Sequence, residues 1–431
     1  MRHVTLLEGE APRIAFCTDT YPPQVNGVSV VTSIAVRGAQ ERGWDCAVVA
    51  PRYPKPYAET FQGDATHLSG VRMHVKLPSV PFPPYPDIRC AAPLYGRTKR
   101  ALREFRPHLV HCETEFIIGQ MGQRAALSLG IPVVTSYHTD FSRYTESYRV
   151  AWMRGPVMRF LTAFHKRSRR VYTPSESSRE DLAALGVMNV EVWGRGVDTG
   201  QFDPARRSDA LRRRLGVHDS FVFLIVSRMA PEKRIDVVLD AFRRLRERRP
   251  DLRTSLVVAG GGPELPALER RAGAGVVFMG NLDRQGVLPT LYASADAFAY
   301  AADTETLGLV ILEAMASGLP VVAAPVAGVG ANLRPGENGL GYPVGDPGAM
   351  AEAMAWLVTD AALRNSLAAG ARAWAEARSW DAELDRMDES YREVIGRAPR
   401  PAKTLEEHGR YQAEARERDA DGRAVRGRAR S

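Results

Sequence analysis

Short apolar runs alternate along the chain with stretches whose apolar residues recur at helical spacing. In the first half, this pattern predicts strands at residues 13–18, 45–51, 108–113, 132–138 and 170–175. In the second half, it predicts strands at 221–227, 254–261, 276–280, 296–302, 320–324 and 340–344. Strands that are apolar on both faces and separated by helices are typical of parallel sheets covered by helices, so the predicted fold class is α/β.

The chain divides near residue 200, because residues 198–220 are rich in charge, glycine and proline. We predict an N-terminal Rossmann-like domain over 1–199 and a C-terminal Rossmann-like domain over 200–379, since each half supplies its own strands. Ligands of such sheets bind outside the carboxyl ends of the strands, so we expect the site in the cleft between the domains. Helical spacing over about 380–396 predicts a last helix that packs back on the N-terminal domain; a helix that stays on its own domain is the alternative.

The composition is that of a soluble globular protein, with 431 residues of which 45% are hydrophobic and 25% charged. The first residues, MRHVTLLEGEAPR, lack the apolar centre of a signal peptide, and no apolar run reaches the length of about 18 residues that crosses a bilayer. We therefore expect a cytoplasmic protein. The cysteines are scattered without a C-x-x-C pair, which fits reduced thiols better than disulfides or a zinc site.

The net charge of +8 is unevenly spread, because residues 397–431 are rich in arginine. This tail has almost no large apolar residues and is predicted to be disordered. A solvated end is favoured over contact with nucleic acid or a membrane, so no specific nucleic-acid partner is predicted.

The stretch ADTETLGLVILEAMASGLPVV (302–322) places two glutamates, Glu305 and Glu313, in an apolar run. Carboxylates are rarely buried unless they are paired, so each needs a partner or water. If Glu305 lies in a loop and a helix starts near Gly308, free amides at the helix N-terminus favour an anion such as a phosphate. Glu313, one turn inside, could then bind a ribose diol and Glu305 another polyol. That arrangement fits a sugar nucleotide; a loop acid and a solvated helix position are the alternative.

Cations and glycines mark further strand ends. In VSRMAPEKRID, Arg228 and Lys233 follow a strand and could neutralise a diphosphate, although surface charges are the commoner case. In TDTYPPQVNGVS, Gly27 precedes a helix and could let the backbone approach a phosphate; a simple turn glycine is the alternative. GGGPE (260–264) is another glycine turn that could border a nucleotide. The chain has neither a P-loop nor a G-x-G-x-x-G motif, which argues against those nucleotide sites.

His138 ends the predicted strand PVVTSYH, at a carboxyl end where sites occur in such sheets, although a structural histidine is the commoner case. His108 and His111 lie in or beside a strand with no third ligand nearby, and the only D-x-D lies in the tail. The sequence therefore predicts no metal site.

Taken together, these residues resemble the family 4 retaining glycosyltransferases of the GT-B fold, in which two Rossmann-like parallel-sheet domains face a central cleft. The resemblance covers about residues 13–396 and rests on the E-x7-E pattern of ETLGLVILE followed by AMASGLPVV. S-R-x-x-x-E-K, GVDTGQF and Y-x-S-A-D appear in the expected order. TDTYPPQVNGVS, PDIRCAAP and SYHTDF look most like the branch of GDP-mannose-dependent α-mannosyltransferases, many of which modify membrane lipids.

The resemblance implies a role for each motif residue. It places two residues in catalysis, His138 near the reacting sugar and Glu305 on the donor hexose. The residues that it implies for donor binding are Gly27, Arg228, Lys233, Leu307, Gly308 and Glu313. It also implies transfer with retention and without a metal ion, in which positive potential stabilises the leaving diphosphate.

We expect the acceptor at a membrane surface. Between Glu146 and Glu176 there is no acid, but arginines and lysines are interleaved with aromatic and aliphatic residues. Such a stretch could lie on an anionic membrane and present a lipid acceptor; an ordinary helix with a basic exposed face is the alternative. The proline-rich segment 77–89 is expected to form a loop on the acceptor side. The expected location is thus cytoplasmic and peripheral on the inner face of the cell membrane.

These observations favour a glycosyltransferase with a nucleotide-sugar co-substrate and no cofactor, GDP-mannose being the first choice and a UDP-sugar the second. A nucleotide-sugar epimerase, which needs no acceptor, is the rival enzyme. A nucleotide-sugar-binding scaffold is the rival outside the enzymes, and the complete set of motif residues disfavours it. The sequence does not determine the oligomeric state.

Overall fold

The computed structural model describes residues 10–24, 26–54, 70–82, 85–138, 154–284, 286–303, 305 and 308–396. Its strands are β1 Arg13–Cys17, β2 Asp45–Pro51, β3 Met73–Leu77, β4 Ser79–Phe82, β5 Tyr85–Ala91, β6 Leu109–Cys112, β7 Val133–Ser136, β8 Arg170–Thr173, β9 Val190–Val192, β10 Phe221–Val226, β11 Thr254–Ala259, β12 Val276–Gly280, β13 Ala297–Tyr300, β14 Val321–Ala323 and β15 Gly339–Gly341. Its α-helices are α1 Gly27–Glu41, α2 Tyr95–Phe105, α3 Ile117–Ser128, α4 Arg154–His165, α5 Glu176–Ala184, α6 Asp209–Arg214, α7 Ile235–Arg248, α8 Leu265–Arg271, α9 Val287–Ser294, α10 Leu309–Ala316, α11 Ala327–Asn332, α12 Pro347–Thr359, α13 Ala361–Glu376 and α14 Trp380–Val394.

The first half of the chain builds one parallel sheet, with seven strands in the described residues and the order β3-β2-β1-β6-β7-β8-β9. The register places Ile14 opposite Cys46 on one side and Leu109 on the other. All the strands predicted for this half are present. They are almost entirely buried and mostly apolar, because helices cover both faces of the sheet and leave no solvent-facing side.

The second half builds another parallel sheet, with six strands in the part of the chain that is described and the order β12-β11-β10-β13-β14-β15. Its predicted strands are present, but the last one lies at Gly339–Gly341 instead of 340–344. The chain leaves the sheet at Tyr342, whose hydroxyl donates to the Tyr300 carbonyl at 3.0 Å. Two parallel sheets with intervening helices confirm the predicted α/β fold class.

The prediction of a loop at 77–89 is wrong, because this segment contains the antiparallel hairpin of β4 and β5. Pro81 lies within the hairpin opposite Arg89, next to an irregularity in the register. A proline removes a backbone donor and excludes a central strand, but it is tolerated at the edge of a small sheet. Strand β3 was also missed, since its MHVKL sequence lacks the continuous apolar character of the inner strands.

The last helix, α14, packs against the first sheet. Leu384, Met387 and Tyr391 join the cluster of buried side chains that contains Trp44. The Trp44 indole donates to Asp388 at 2.6 Å, which adds a polar contact between α14 and the start of β2. The division of the chain at residue 200 and the assignment of α14 to the N-terminal domain stay predictions. Among the described parts of the chain, every helix is too short or too polar to cross a membrane.

Candidate active site

Glu305 lies between β13 and α10, where its carboxylate is surrounded by donors. Lys233 Nζ donates to it at 2.9 Å and the Gly308 amide at 3.2 Å, and the Tyr300 hydroxyl is a third donor. Burial would raise the pKa of Glu305, but the Lys233 ammonium and the other donors outweigh burial and lower the pKa to about 2. Glu305 is therefore ionised at neutral pH, and it holds Lys233 at the carboxyl end of the second sheet.

Gly308 caps α10 in a left-handed conformation that favours glycine. Its φ is 62°, and a Cβ at this position would lie 2.9 Å from the Asn332 side-chain nitrogen. The helix begins at Leu309 and is followed by Gly318 with φ 75°, as the sequence predicted. Leu307, predicted to bind the donor, lies outside the described residues. The Gly308 amide at the start of α10 thus donates to the Glu305 carboxylate, an anion of the kind that a helix N-terminus favours.

Arg228 follows β10 and forms an ion pair with Glu232, which is only 1% exposed. The GGGPE turn after β11 packs directly under this loop. A Cβ on Gly260 would lie 1.9 Å from the Ser227 carbonyl oxygen, and one on Gly262 would lie 2.4 Å from that of Met229. The glycines that the sequence placed beside a nucleotide therefore let two loops touch, and this contact supports the backbone that carries Arg228.

Glu313 lies inside α10 and is 4% exposed, so the alternative of a solvated helix position is wrong. Its carboxylate accepts hydrogen bonds from Arg284 at 2.5 and 3.1 Å and from the Tyr292 hydroxyl at 3.1 Å. The Arg284 guanidinium in turn lies over the Phe202 ring, 5.2 Å from its centroid. Sequence reasoning missed Arg284, which comes from a loop distant in the chain and is marked by no local pattern. It gave no role to Tyr292, although Tyr292 is the first residue of the Y-x-S-A-D motif.

His138 follows β7 and is 3% exposed. Its Nε2 lies 2.8 Å from Glu113 Oε2, and its Nδ1 lies 3.3 Å from an Arg195 nitrogen. Glu113 follows β6 and is fully buried. Burial would raise the pKa of Glu113, but His111 and His138 on either side lower the pKa to about 2. His138 thus lies between a buried carboxylate and a buried guanidinium, neither of which sequence reasoning singled out.

The other histidines of the first sheet have structural contacts. His111 contacts the Tyr391 hydroxyl at 2.6 Å and Ser136 Oγ at 2.8 Å, and burial lowers the pKa of His111 to about 4. His108 lies at the opposite, amino edge of the sheet, where it accepts from the Arg13 amide at 2.9 Å. No group of three or more metal-ligating side chains is assembled among the described residues.

Gly27 is the first residue of α1. The N-cap Asn26 accepts a hydrogen bond from the Ser29 amide at 2.8 Å and donates to Thr20 at 2.8 Å. These bonds fix the turn after β1, so a helix N-terminus faces outward at the carboxyl edge of the first sheet. The predicted contact of Gly27 with a phosphate stays a prediction.

The structure assembles the predicted site residues in two groups. On the second sheet, Lys233, Glu305 and Gly308 are in direct contact, with Arg228 on the preceding loop and Glu313 one turn along α10. On the first sheet, His138 and Gly27 follow the carboxyl ends of different strands. Two parallel sheets, with cations at the carboxyl edge of one and a buried histidine at that of the other, are the arrangement expected of a GT-B glycosyltransferase.

The chain belongs to the family 4 glycosyltransferases. Residues 25–201 match the model described as Glycosyltransferase Family 4, and residues 220–360 match the one described as Glycosyl transferases group 1. The chain is 32% identical over 386 residues to the GDP-mannose-dependent alpha-mannosyltransferase of Mycobacterium tuberculosis, covering 89% of this chain and 97% of the relative. It is 30% identical over 324 residues to the alpha-monoglucosyldiacylglycerol synthase of Streptococcus pneumoniae, covering 72% and 70% of the two chains.

Among solved structures, the fold is similar to that of HepE from Anabaena in complex with UDP and glucose. The TM-score is 0.73 at 20% sequence identity, and the match covers 89% of this chain and 100% of HepE. The predictions of the GT-B fold, of the family and of glycosyltransferase as the enzyme class are confirmed.

Proposed function

We propose that the protein transfers mannose from GDP-mannose, with retention, to a hydroxyl of a membrane glycolipid or phospholipid. The observation that carries the donor half is the contact of Lys233 with Glu305 at the N-terminus of α10. This arrangement places a cation, an ionised carboxylate and the N-terminus of a helix side by side. They suit, respectively, a diphosphate, a sugar hydroxyl and phosphate oxygens.

Stabilising the leaving nucleotide diphosphate is the main task of the second sheet. Negative charge develops on the diphosphate as the bond to the sugar breaks, and Lys233, Arg228 and the amides of α10 supply positive potential there. Each cation already contacts a carboxylate, Glu305 or Glu232. Because these contacts orient the cations before the donor arrives, they need little rearrangement in the transition state.

Glu305 acts on the sugar as an acceptor of hydrogen bonds. A carboxyl group with a pKa of about 2 has no proton to give at neutral pH, so Glu305 is not the acid of the reaction. We assign it to a hydroxyl of the donor hexose, with His138 approaching the same sugar from the first sheet. The acceptor hydroxyl then attacks on the face from which the diphosphate leaves, and the configuration is retained.

GDP and GDP-mannose should raise the melting temperature more than UDP, ADP or their sugar conjugates at equal concentration, because ligand binding to the native state adds to stability. Glu313→Gln should lose most of this shift, since a neutral amide binds the ribose diol less well. Thermal unfolding measures both effects, with Glu376→Gln as a control on the surface of α13, where the glutamate is 54% exposed.

A UDP-selective shift would replace GDP-mannose by a UDP-sugar as the donor. If nucleotides raise the melting temperature of Glu313→Gln as much as that of the original protein, the ribose does not bind at Glu313. A protein whose melting temperature no nucleotide raises would contradict the donor proposal as a whole.

An exposed surface of the first half supports a lipid acceptor. A cavity of about 610 Å³ lies between the open edge of β3 and helix α2, and its lining includes Arg52, Lys76, Arg97 and Arg100. None of these four cations forms an ion pair with a described residue. The neighbouring hairpin exposes Val80 and Phe82 at 63% and 39%. Cations beside exposed apolar side chains favour an anionic membrane surface. Of the stretch 146–176 that the sequence predicted for this role, residues 146–153 lie outside the described residues.

Exchanging Arg97 and Arg100 together for serine should lower binding to vesicles that contain phosphatidylglycerol by about tenfold or more, at about 1 kcal/mol for each cation near an anionic surface. Flotation with phosphatidylglycerol–phosphatidylcholine vesicles measures the bound fraction. The control exchanges Arg243 and Arg248, which are 54% and 55% exposed on α7, for serine. Equal losses in the two double variants, or equal binding to pure phosphatidylcholine, would contradict this membrane surface.

A further inference from the structure

Arg195 carries a buried positive charge beside the candidate reaction centre. It lies in the segment that leads from β9 to the second sheet, and only 6% of its surface is exposed. No carboxylate among the described residues forms an ion pair with it. Burying a guanidinium without a carboxylate partner is costly, so its position calls for an explanation beyond packing.

The contacts of Arg195 point to His138. One terminal nitrogen donates to the carbonyls of Trp193 and Gly194 at 2.7 and 2.9 Å, and the other lies 3.3 Å from His138 Nδ1. The guanidinium also lies over the Trp193 ring, 4.5 Å from its centroid. Burial lowers the pKa of Arg195 to about 10, so the guanidinium stays charged at neutral pH.

This geometry selects one tautomer of His138. A guanidinium can only donate, so the ring nitrogen that it contacts, Nδ1, must accept. The proton of the neutral ring is then on Nε2, which lies 2.8 Å from the carboxylate of Glu113. Moving the proton to Nδ1 would bring an N–H to the guanidinium and a lone pair to the carboxylate, and both contacts would be repulsive. Turning the ring over would place carbon atoms at both positions and lose both hydrogen bonds. Arg195 and Glu113 together hold the ring in one orientation.

The backbone that carries Arg195 is itself held tightly. The Trp193 indole donates to the Glu383 carbonyl at 3.0 Å, and Val197 forms a bridge with Ser379. A Cβ on Gly196 would lie 2.4 Å from the Trp380 nitrogen, so only glycine permits this approach of the two chain segments. The start of α14 therefore holds the segment in place, and the guanidinium has little freedom to leave His138.

We infer that Arg195 is a positioning residue, which fixes the tautomer and orientation of His138 from the segment that connects the two sheets. The inference rests on the proposed placement of His138 at the reaction centre. Without the guanidinium, Nδ1 loses the donor that excludes its protonated form, and the ring gains a second tautomer and a second orientation. The His138 ring then has the required tautomer and orientation toward the sugar for only part of the time, while the donor-binding groups of the second sheet are unchanged.

Arg195→Met should lower kcat by about a hundredfold, as small misplacements at a reaction centre do, with nucleotide affinity changed less than about twofold. Arg195→Lys, which keeps a charge and a donor, should recover a large part of kcat. Arg212→Met is the matched control, because Arg212 is also 6% exposed and donates to the Ser294 carbonyl and Asp296 in the second half of the chain. It should lower the melting temperature without lowering kcat.

A spectroscopic measurement separates positioning from stability. In protein labelled with ¹⁵N-histidine, the nitrogen shifts of His138 report its tautomer, and His138→Gln assigns the signals. We expect the Nε2–H form in the full-length protein and in Arg212→Met, and a mixture in Arg195→Met. An unchanged tautomer in Arg195→Met would overturn the inference, as would an unchanged kcat or parallel losses of kcat and nucleotide affinity.

Failure of the proposed function has a different signature. If His138→Gln keeps full activity, or if no nucleotide sugar is turned over, His138 is not at a reaction centre. The tautomer would still depend on Arg195 in that case, which shows that the geometry is right and the placement of the reaction is wrong.

Discussion

Lys233→Met should lower kcat/KM for the nucleotide sugar by about a thousandfold, the upper end of what one lost donor to a developing negative charge costs. Lys233 is the cation nearest to Glu305 and the N-terminus of α10, and its side chain is 15% exposed. In so sheltered a position, water replaces a lost charge poorly. The loss should appear mainly in kcat, because charge on the diphosphate increases as the glycosidic bond breaks.

A second variant keeps this prediction independent of folding. Lys233→Met alone removes the cation beside Glu305, so the pKa of Glu305 rises and the protein loses stability. The double variant with Glu305→Gln removes both buried charges and should recover the melting temperature without recovering activity. Lys99→Met on α2 is the control. Activity of the double variant within about tenfold of the original protein would contradict the assignment of Lys233 to the leaving group.

His138→Gln should lower turnover by about a hundredfold while nucleotide affinity stays within about twofold, which is the range for a group acting directly on the reacting sugar. Glutamine is preferred to alanine because its amide still donates to Glu113. A glutamate buried at 0% exposure that loses its donor His138 would destabilise the first sheet, and this loss of stability would obscure the effect on turnover. Steady-state kinetics and nucleotide titration of the same preparations separate the two effects.

The control for this prediction is His108→Gln. His108 is similarly buried at 5% but lies at the amino edge of the same sheet, against Arg13. The His108→Gln variant should be less stable than the original protein and should keep its turnover. If both histidine variants lose turnover equally, or if His138→Gln keeps full activity, His138 has no place at the reaction centre.

Local features of the chain predicted much of the second sheet and its loops. The helix α10 begins and ends where Gly308 and Gly318 predicted, because each of these residues adopts a positive φ that other residues avoid. The apolar runs predicted the inner strands of both sheets for an equally local reason. A strand covered on both faces is largely apolar, and that requirement is visible without knowing what covers it.

Where no such local requirement exists, the sequence-based prediction was wrong or missed the element. The hairpin at 79–91 contains prolines that argue against a strand, and only its place at an edge makes them acceptable. The alternative of a solvated Glu313 is wrong because Arg284, in the loop before α9, and Tyr292, in α9, both contact its carboxylate. No residue spacing within α10 encodes these contacts.

The sequence by itself determined the fold class, the family and the residue types at the carboxyl ends of the strands, because these depend on local conformation and on motifs read in order. Only the tertiary structure decided the partners of those residues: Lys233 for Glu305, Arg284 for Glu313, and Glu113 with Arg195 for His138. The physical reason is that a buried charge or imidazole takes its ionisation, tautomer and orientation from groups that surround it in space. Those groups come from strands and loops far apart in the chain, and folding alone brings them together.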